Sequence, residues 1–557
     1  MLKISLHRII IEPDNDAGFK KNYPEPQYTI EVFGKRYVQC IAGKDGLRLI
    51  VFFVSIFIVI LLVLFGSLMP ESFTAVTSAL LSFTTNNFGW FYLLVAFTFL
   101  IFALFLAFSR YGKIRLGDDD DEPEYTKLSW FALLFSAGMG IGLVFWGAAE
   151  PLSHYATPPA GGGHTEEAAR LALRYSFFHW GLHPWAIYTV LGLAISYFRY
   201  RKGSNGLISS TFEPYLGSRV NGWIGRSIDV LTILATAFGV ATSLGLGVLQ
   251  VAGGLNHLAK VPNTLMVQLL IIAIATVIFI LSTTTGLEKG LKLLSNLCLV
   301  FSLLLLVSVL ILGPTTSIFD AFTTTLGSYL QNIIQMSLRL APFTQNSWIA
   351  NWTLFYWAWW ISWAPFVGIF IARISKGRTI KEFVLGVLIV PSLFSFLWFS
   401  IFGGTGLHQQ MIEGVPLTKV VEKDISLVLF YILEHLPLGV FIAWLAMILV
   451  ILFYITAGDS ATFVLGMLST NGSDDPLNWV KIVWGILQSA IAMVLLMTGG
   501  LEALQTAAIV SALPFAIIML GMCASLLKIL RQDERERRRK EKKRERSIRE
   551  WIEKQIT

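Results

Sequence analysis

The sequence predicts an all-α polytopic membrane protein with twelve transmembrane helices. Three observations carry that expectation. Of 557 residues, 55% are hydrophobic and only 14% are charged, against about 25% charged in an average soluble domain; the mean hydropathy is +0.65. Twelve runs approach the ~20 apolar residues that a helix needs to cross the hydrocarbon core. Lys and Arg fall unevenly on the two sides that these crossings define. Length-per-domain reasoning for soluble chains does not apply here.

The elements follow in order. Residues 1–48 form a polar leader, and the first apolar run starts too late for a cleaved signal peptide. Runs at 49–69 and 89–109 come next, then the acidic loop "LGDDDDEPEY" (116–125), read as a solvated charge run rather than a metal site. Five runs occupy 128–313: 128–149, 175–198, 227–255, 264–284 and 293–313. The fifth run of the chain, 227–255, and the tenth, 438–470, are long enough to be tilted or broken. Residues 314–351 hold "LGSYLQNIIQMSLRLAPF" (326–343), amphipathic and too polar to span. It fits a helix in the outer interface or one packed on the fold. Five more runs occupy 352–527: 352–372, 383–404, 438–470, 482–498 and 503–527. The tail, 528–557, carries thirteen Lys/Arg and seven Asp/Glu, or +6 of the net +7. Its segment "RERRRKEKKRERSIREW" (535–551) suits a helix with i,i+4 acid–base pairs. The basic patch Arg537, Arg538, Arg539 and Lys540 reads either as a solubilising, topology-fixing tail or as a regulatory contact with anionic lipid. One side of the membrane has twenty loop Lys/Arg and the other six, so the first is expected to be cytoplasmic, with both termini on it. Cys40, Cys298 and Cys523 are too dispersed for a disulfide framework or zinc spacing.

Two spans look irregular. In "FSAGMGIGLVFWGAAEPL" (135–152), Gly138, Gly140 and Gly142 alternate. Close helix packing through small residues uses a spacing of four, so alternation points instead to freed backbone. Unwound backbone in a bilayer must line a cavity or lie buried in protein, and bare N–H groups at a helix break attract carboxylates. The eighth span holds "YWAWWISWAPF" (356–366), with Pro365. It lies five spans after the third, so spans three to seven and eight to twelve form two sets of five. Irregular helices at matching places in two halves suggest an inverted-repeat transporter with a midplane site.

The aromatics sharpen that picture. Trp352 sits at a helix end, where interfacial tryptophan belongs. Trp359, Trp360 and Trp363 sit near mid-span, and "FHWGLHPWAIY" (178–188) adds Trp180, Trp185 and Tyr188. A lipid-facing midplane indole would leave its N–H unpaired. Packed core and an aromatic cage for a quaternary ammonium group both remain open on periodicity alone. His179 and His183, four apart, have a spacing that could ligate a metal or haem; no matching pair stands on another span, which favours a structural role. Asp459, Glu150 and Arg373 are ionisable groups in or at spans, and so functional candidates. Glu150, just before Pro151, is read as ending or orienting its span.

At these residues the chain resembles the betaine/carnitine/choline transporter family. The motifs are "GMGIGLVFWGAAEPLSHY" (138–155), "HWGLHPWAIY" (179–188), "ATAFGVATSLGLGVLQ" (235–250), "WTLFYWAWWISWAPFVGIFIARISKGRTIKEF" (352–383) and "TAGDSATFVLGMLS" (456–469). The resemblance implies a LeuT-like 5+5 inverted repeat, with the helices of 49–127 as two extra spans in front, and a homotrimer. It implies a symporter, not an enzyme, importing trimethylammonium compounds across the cytoplasmic membrane with no cofactor beyond a coupling ion and no nucleic-acid partner. The cage it implies falls on Trp180, Trp185, Tyr188 and Trp360, with Trp359 and Trp363 adjoining. The carboxylate-facing segment falls on Ala137, Gly138, Met139 and Gly140. Choline-type members tend to carry an acid where this chain has Gly142, so "GMGIG" resembles the glycine betaine type. For sodium, one implied site takes Ser136, Met139, Phe453 and Thr456, with Ala457 at the neighbouring hydroxyl position. The second takes Thr236 and Phe366, with Tyr188 nearby and Val240 where a hydroxyl partner is expected. No arginine replaces the ion at either place, so sodium is the expected coupling ion; a proton-coupled or broader choline/carnitine/betaine transporter is the alternative.

Overall fold

The structure, a computed structural model, describes residues 49–138, 140–285, 288–343 and 347–556, together with three short strands nearer the N-terminus. Those strands, β1 (Ile4–Ser5), β2 (Tyr28–Val32) and β3 (Lys35–Gln39), pair antiparallel in the order β1-β2-β3. The leader's polar composition gave no hint of them. Cys40 lies outside the described residues; Cys298 and Cys523 are free thiols.

The remainder is helical. The first pair is α1 (Leu49–Leu68) and α2 (Pro70–Phe108). The second helix starts well before the apolar run at 89–109 because Pro70 fits a first helical turn, where no N–H is needed. The third span is two helices, α3 (Lys127–Gly138) and α4 (Ile141–Ala156). Their axes bend by 67° at the glycines. The fourth is also two, α5 (Glu166–Trp180) and α6 (Leu182–Ser196), hinged at Gly181. Gly181 allows close approach here: a Cβ would lie 2.5 Å from the Phe177 carbonyl oxygen and 2.8 Å from the Phe396 ring.

The long fifth and tenth spans are single helices, α7 (Trp223–Ala259) and, later, α13 (Gly439–Ser469), of 37 and 31 residues. At 1.5 Å per residue each exceeds the ~30 Å hydrocarbon core, so each tilts or projects beyond it. Between them come α8 (Leu265–Thr284), α9 (Glu288–Leu312), α10 (Thr315–Ser337), α11 (Phe355–Arg373) and α12 (Ile380–Met411). The amphipathic α10 packs on α5 and α12, burying Ile318, Tyr329 and Met336 and exposing Phe319, Leu330 and Ile334. The tryptophan-rich α11 runs unbroken through Pro365; its irregularity is a π turn just before it, at Ala350–Leu354. The helix stays in register because neighbouring helices enclose it on α6, α7 and the last helix.

The last helical run, α14 (Asn478–Ile556), is interrupted at Gly499 and Gly500. Gly500 has φ +58° and ψ −130°, a conformation that a side chain strains. Among the described residues, nine helices are long and apolar enough to cross a membrane, and the bent α3–α4 pair makes a tenth. Counting α14 separately on each side of the Gly499–Gly500 break, and α5–α6 as one hinged span, brings the number to twelve. Beyond the break α14 continues through the basic tail without interruption. There Arg538 pairs with Glu534 at 2.8 Å and Arg537 with Glu541 at 3.1 Å. Its root is tied to the end of α6: Lys202 meets Asp533 at 2.6 Å, and the Tyr197 hydroxyl donates to the same carboxylate.

Candidate substrate-binding site

The α3–α4 break, the α5–α6 hinge and α11 converge on one cavity of about 920 Å³. Trp180, Trp185, Tyr188, Trp359, Trp360 and Trp363 all line it, as do Gly138 and Gly140. The side chain of Ala137 and all of Met139 lie outside the described residues.

The rings are held by their polar ends. Trp180 Nε1 donates to Glu150 Oε2 at 2.9 Å, Trp360 Nε1 to the His179 carbonyl at 2.9 Å, and Trp363 Nε1 to the Gly239 carbonyl at 2.8 Å. Trp359 Nε1 donates to Ser243 Oγ at 3.2 Å. With these N–H groups satisfied by protein, what these four indoles offer the cavity is apolar, π-bearing ring surface. Trp180 meets Trp360 at 76° with centroids 4.7 Å apart. Tyr188 meets Trp360 at 78° and 6.2 Å, and Trp185 meets Tyr188 at 77° and 5.4 Å. Near-perpendicular neighbours turn corners, so these three contacts link the four rings into a partial box along the cavity lining. Trp359 stacks behind Trp360 at 4.7 Å and 16°. Trp357 takes no part. It is buried with its N–H unpartnered, and it packs on His183 at 5.2 Å and Phe178 at 5.0 Å. Trp352, half-buried at the π turn, packs on His154 and Trp146.

Close approach explains two of the three glycines. A Cβ on Gly138 would sit 2.9 Å from Trp185 Cζ2, and one on Gly142 would sit 2.5 Å from Trp359 Cη2 and 3.2 Å from Trp180 Cη2. Gly140, with extended backbone, heads α4, whose first turn has no side-chain cap. Gly140, Ile141, Gly142 and Leu143 line the cavity. The unpaired amides and the positive end of the helix dipole therefore favour an anionic group there. Among the described residues, the cavity's acids are Asp459, Asp474 and Asp475; none belongs to α5, α6 or α11, which carry the rings.

The residues expected to hold sodium divide. Ser136, Phe366, Phe453 and Thr456 line the same cavity, beside Ala457. The Thr456 hydroxyl lies 3.0 Å from the Leu452 carbonyl, 3.2 Å from that of Phe453, and 4.0 Å from Cys298 Sγ. Thr236 is buried in α7 with its hydroxyl donating to the Thr232 carbonyl at 2.7 Å, away from the lining. Residues not singled out in the sequence join the Thr456 end, among them Ser282, Thr283 and Ser295. The Thr283 hydroxyl donates to the Asp459 carboxylate. Their only signal was hydroxyls inside apolar runs. The cavity then continues to the helix ends, past Arg373, the Arg199–Asp474 pair at 2.8 Å and the Lys481–Asp475 pair at 3.4 Å. His179 and His183 do not share a ligand. His179 contacts Glu150 Oε1 at 2.7 Å and Thr353 at 3.0 Å, whereas His183 contacts Ser337 at 2.8 Å.

A polytopic helical protein with broken spans around one cavity has the build of a secondary transporter. The family description "BCCT, betaine/carnitine/choline family transporter" matches residues 50–535, and the chain belongs to that family. It is 53% identical over 495 residues to the glycine betaine transporter OpuD of Bacillus subtilis, covering 88% of this chain and 96% of that protein. It is 46% identical to the ectoine/hydroxyectoine transporter of Virgibacillus pantothenticus, covering 88% and 98%. It is 41% identical to the osmo-dependent choline transporter BetT2 of Acinetobacter baylyi, covering 88% and 72%. The protein is a transporter rather than an enzyme.

Proposed function

We propose that this chain imports glycine betaine, or a close trimethylammonium zwitterion, by sodium symport. The observation that carries the reading is the ring box of Trp180, Trp185, Tyr188 and Trp360, set in the same cavity as the uncapped start of α4. A zwitterion matches that pairing: rings attract the ammonium, and helix amides attract the carboxylate. Gly142 supports a zwitterion over a bare cation, because the space an acid would occupy there is filled by Trp359 and Trp180. The relative named for glycine betaine at 53% identity points the same way.

Sodium is supported by an oxygen-rich lining around Thr456, since a hard cation prefers oxygen ligands. On the Lys/Arg bias, the charged mouth faces the cytoplasm and both termini lie there. The basic tail helix contacts anionic lipid through Arg537, Arg538, Arg539 and Lys540, tunes uptake to osmotic stress, and the protein works as a trimer. The test is tryptophan fluorescence titration of the purified protein with betaine, choline, carnitine and proline, each with and without sodium. Saturable, sodium-enhanced quenching by betaine ahead of choline is expected; a preference for choline, or for proline, would overturn the zwitterion assignment.

A further inference from the structure

Glu150 is fully buried beside the ring box, yet it does not line the cavity. Each of its oxygens meets two partners. Oε1 lies 2.7 Å from His179 Nδ1 and 3.1 Å from His154 Nε2. Oε2 accepts from Trp180 Nε1 at 2.9 Å and from the Tyr356 hydroxyl at 2.5 Å. The same His179 offers its carbonyl to Trp360 Nε1 at 2.9 Å, and Tyr356 stacks on Trp360 at 5.9 Å and on His179 at 4.6 Å. Thus one carboxylate fixes Trp180 directly, and Trp360 through His179 and Tyr356.

We infer that Glu150 is a positioning residue for substrate selection: it orients the Trp180 and Trp360 rings and, as the acceptor from the Trp180 N–H, enriches the π face that Trp180 offers to the cation. The inference rests on the reading of the box as an ammonium site. The hydrogen bond from Trp180 to a charged acceptor is of the strong class, so that ring loses both orientation and polarisation when the charge goes, and Trp360 loses the support it takes through His179 and Tyr356. A metal centre of Glu150, His154 and His179 is geometrically conceivable, since their ligand atoms lie within 4.8 Å of one another. The four contacts already saturate both carboxylate oxygens, which favours the positioning role.

The experiment compares the full-length wild type with Glu150→Gln in proteoliposomes. The betaine KM should rise roughly tenfold or more while the maximal rate is largely kept, and a wild-type-minus-variant indole Raman spectrum of ligand-free protein should show weakened N–H hydrogen bonding. An unchanged KM, or a fall in maximal rate alone, overturns the inference. Stoichiometric zinc binding to the wild type that is lost in His154→Ala also overturns it. If Glu150→Gln does not fold, Tyr356→Phe keeps the ring and removes one donor; a raised KM then supports the inference and an unchanged one overturns it. If the wild type takes up no betaine, the transport reading fails, while the ligand-free indole spectrum still decides the positioning role.

Discussion

At the scale of single residues, the account assigns distinct work to neighbouring tryptophans. On the proposed reading Trp360 contacts the cation and Trp359 and Trp363 are cavity walls, while Trp357 only packs on Phe178 and His183. Replacing Trp360 by Leu should weaken betaine binding by about 0.5–2 kcal/mol for the lost cation–π contact alone, read as a raised Kd in the fluorescence titration. Replacing Trp357 by Phe should leave that Kd unchanged. Gly142→Ala forces a shift of Trp359, since its Cβ would lie 2.5 Å from Cη2, and should lower betaine affinity, read as a raised Kd in the same titration. Part of this was legible beforehand, because position along a span separates end from middle; Trp180, Trp359, Trp360 and Trp363 do bond their N–H groups, whereas Trp357 is buried without a partner. What the sequence left open was cage against core, since both bury the same rings; the angles between Trp180, Trp360, Tyr188 and Trp185 favour the box. The acceptors themselves, Glu150 and the carbonyls of His179 and Gly239, are long-range contacts that no local pattern encodes.

At the scale of elements, the breaks decide where function sits. The α3–α4 break was readable from alternating glycines, because spacing two serves no helix face. The Gly181 hinge was not, because a lone glycine between apolar runs also fits an unbroken helix. Pro365 pulled the other way: it suggested irregularity, yet α11 holds through it. The Gly500 break carries its own stability test. Gly500→Ala places a side chain at φ +58° and should cost about 1 kcal/mol or more, seen as a lower midpoint of thermal unfolding. The tail helix was legible from its i,i+4 charges, whereas its anchor at Asp533 on Lys202 and Tyr197 was not. Deleting the chain after Leu530 removes that anchor, which ties the tail to the end of α6, the helix of Trp185 and Tyr188. Transport should persist while its activation by osmotic upshift flattens; an unaltered osmotic response in vesicles would show that the tail only solubilises.

At the scale of the whole molecule, twelve apolar runs in the sequence become twelve spans only when hinged and merged helices are counted by their breaks. Length and hydropathy together find nine or ten, because the fourth span is divided at Gly181 into two helices of 15 residues each, and α14 joins two spans to the tail. Family membership and the transporter class follow from 486 matched positions, residues 50–535. Coupling follows from neither, and it is where this chain departs from its expected pattern, with Ala457 and Val240 lacking hydroxyls. Labelled glycine betaine uptake into proteoliposomes of the purified protein, driven by an inward sodium gradient, tests the central claim most directly. The account predicts accumulation above the equilibrium level that collapses when sodium is equal on both sides; uptake that merely equilibrates, or that is indifferent to sodium, would contradict it.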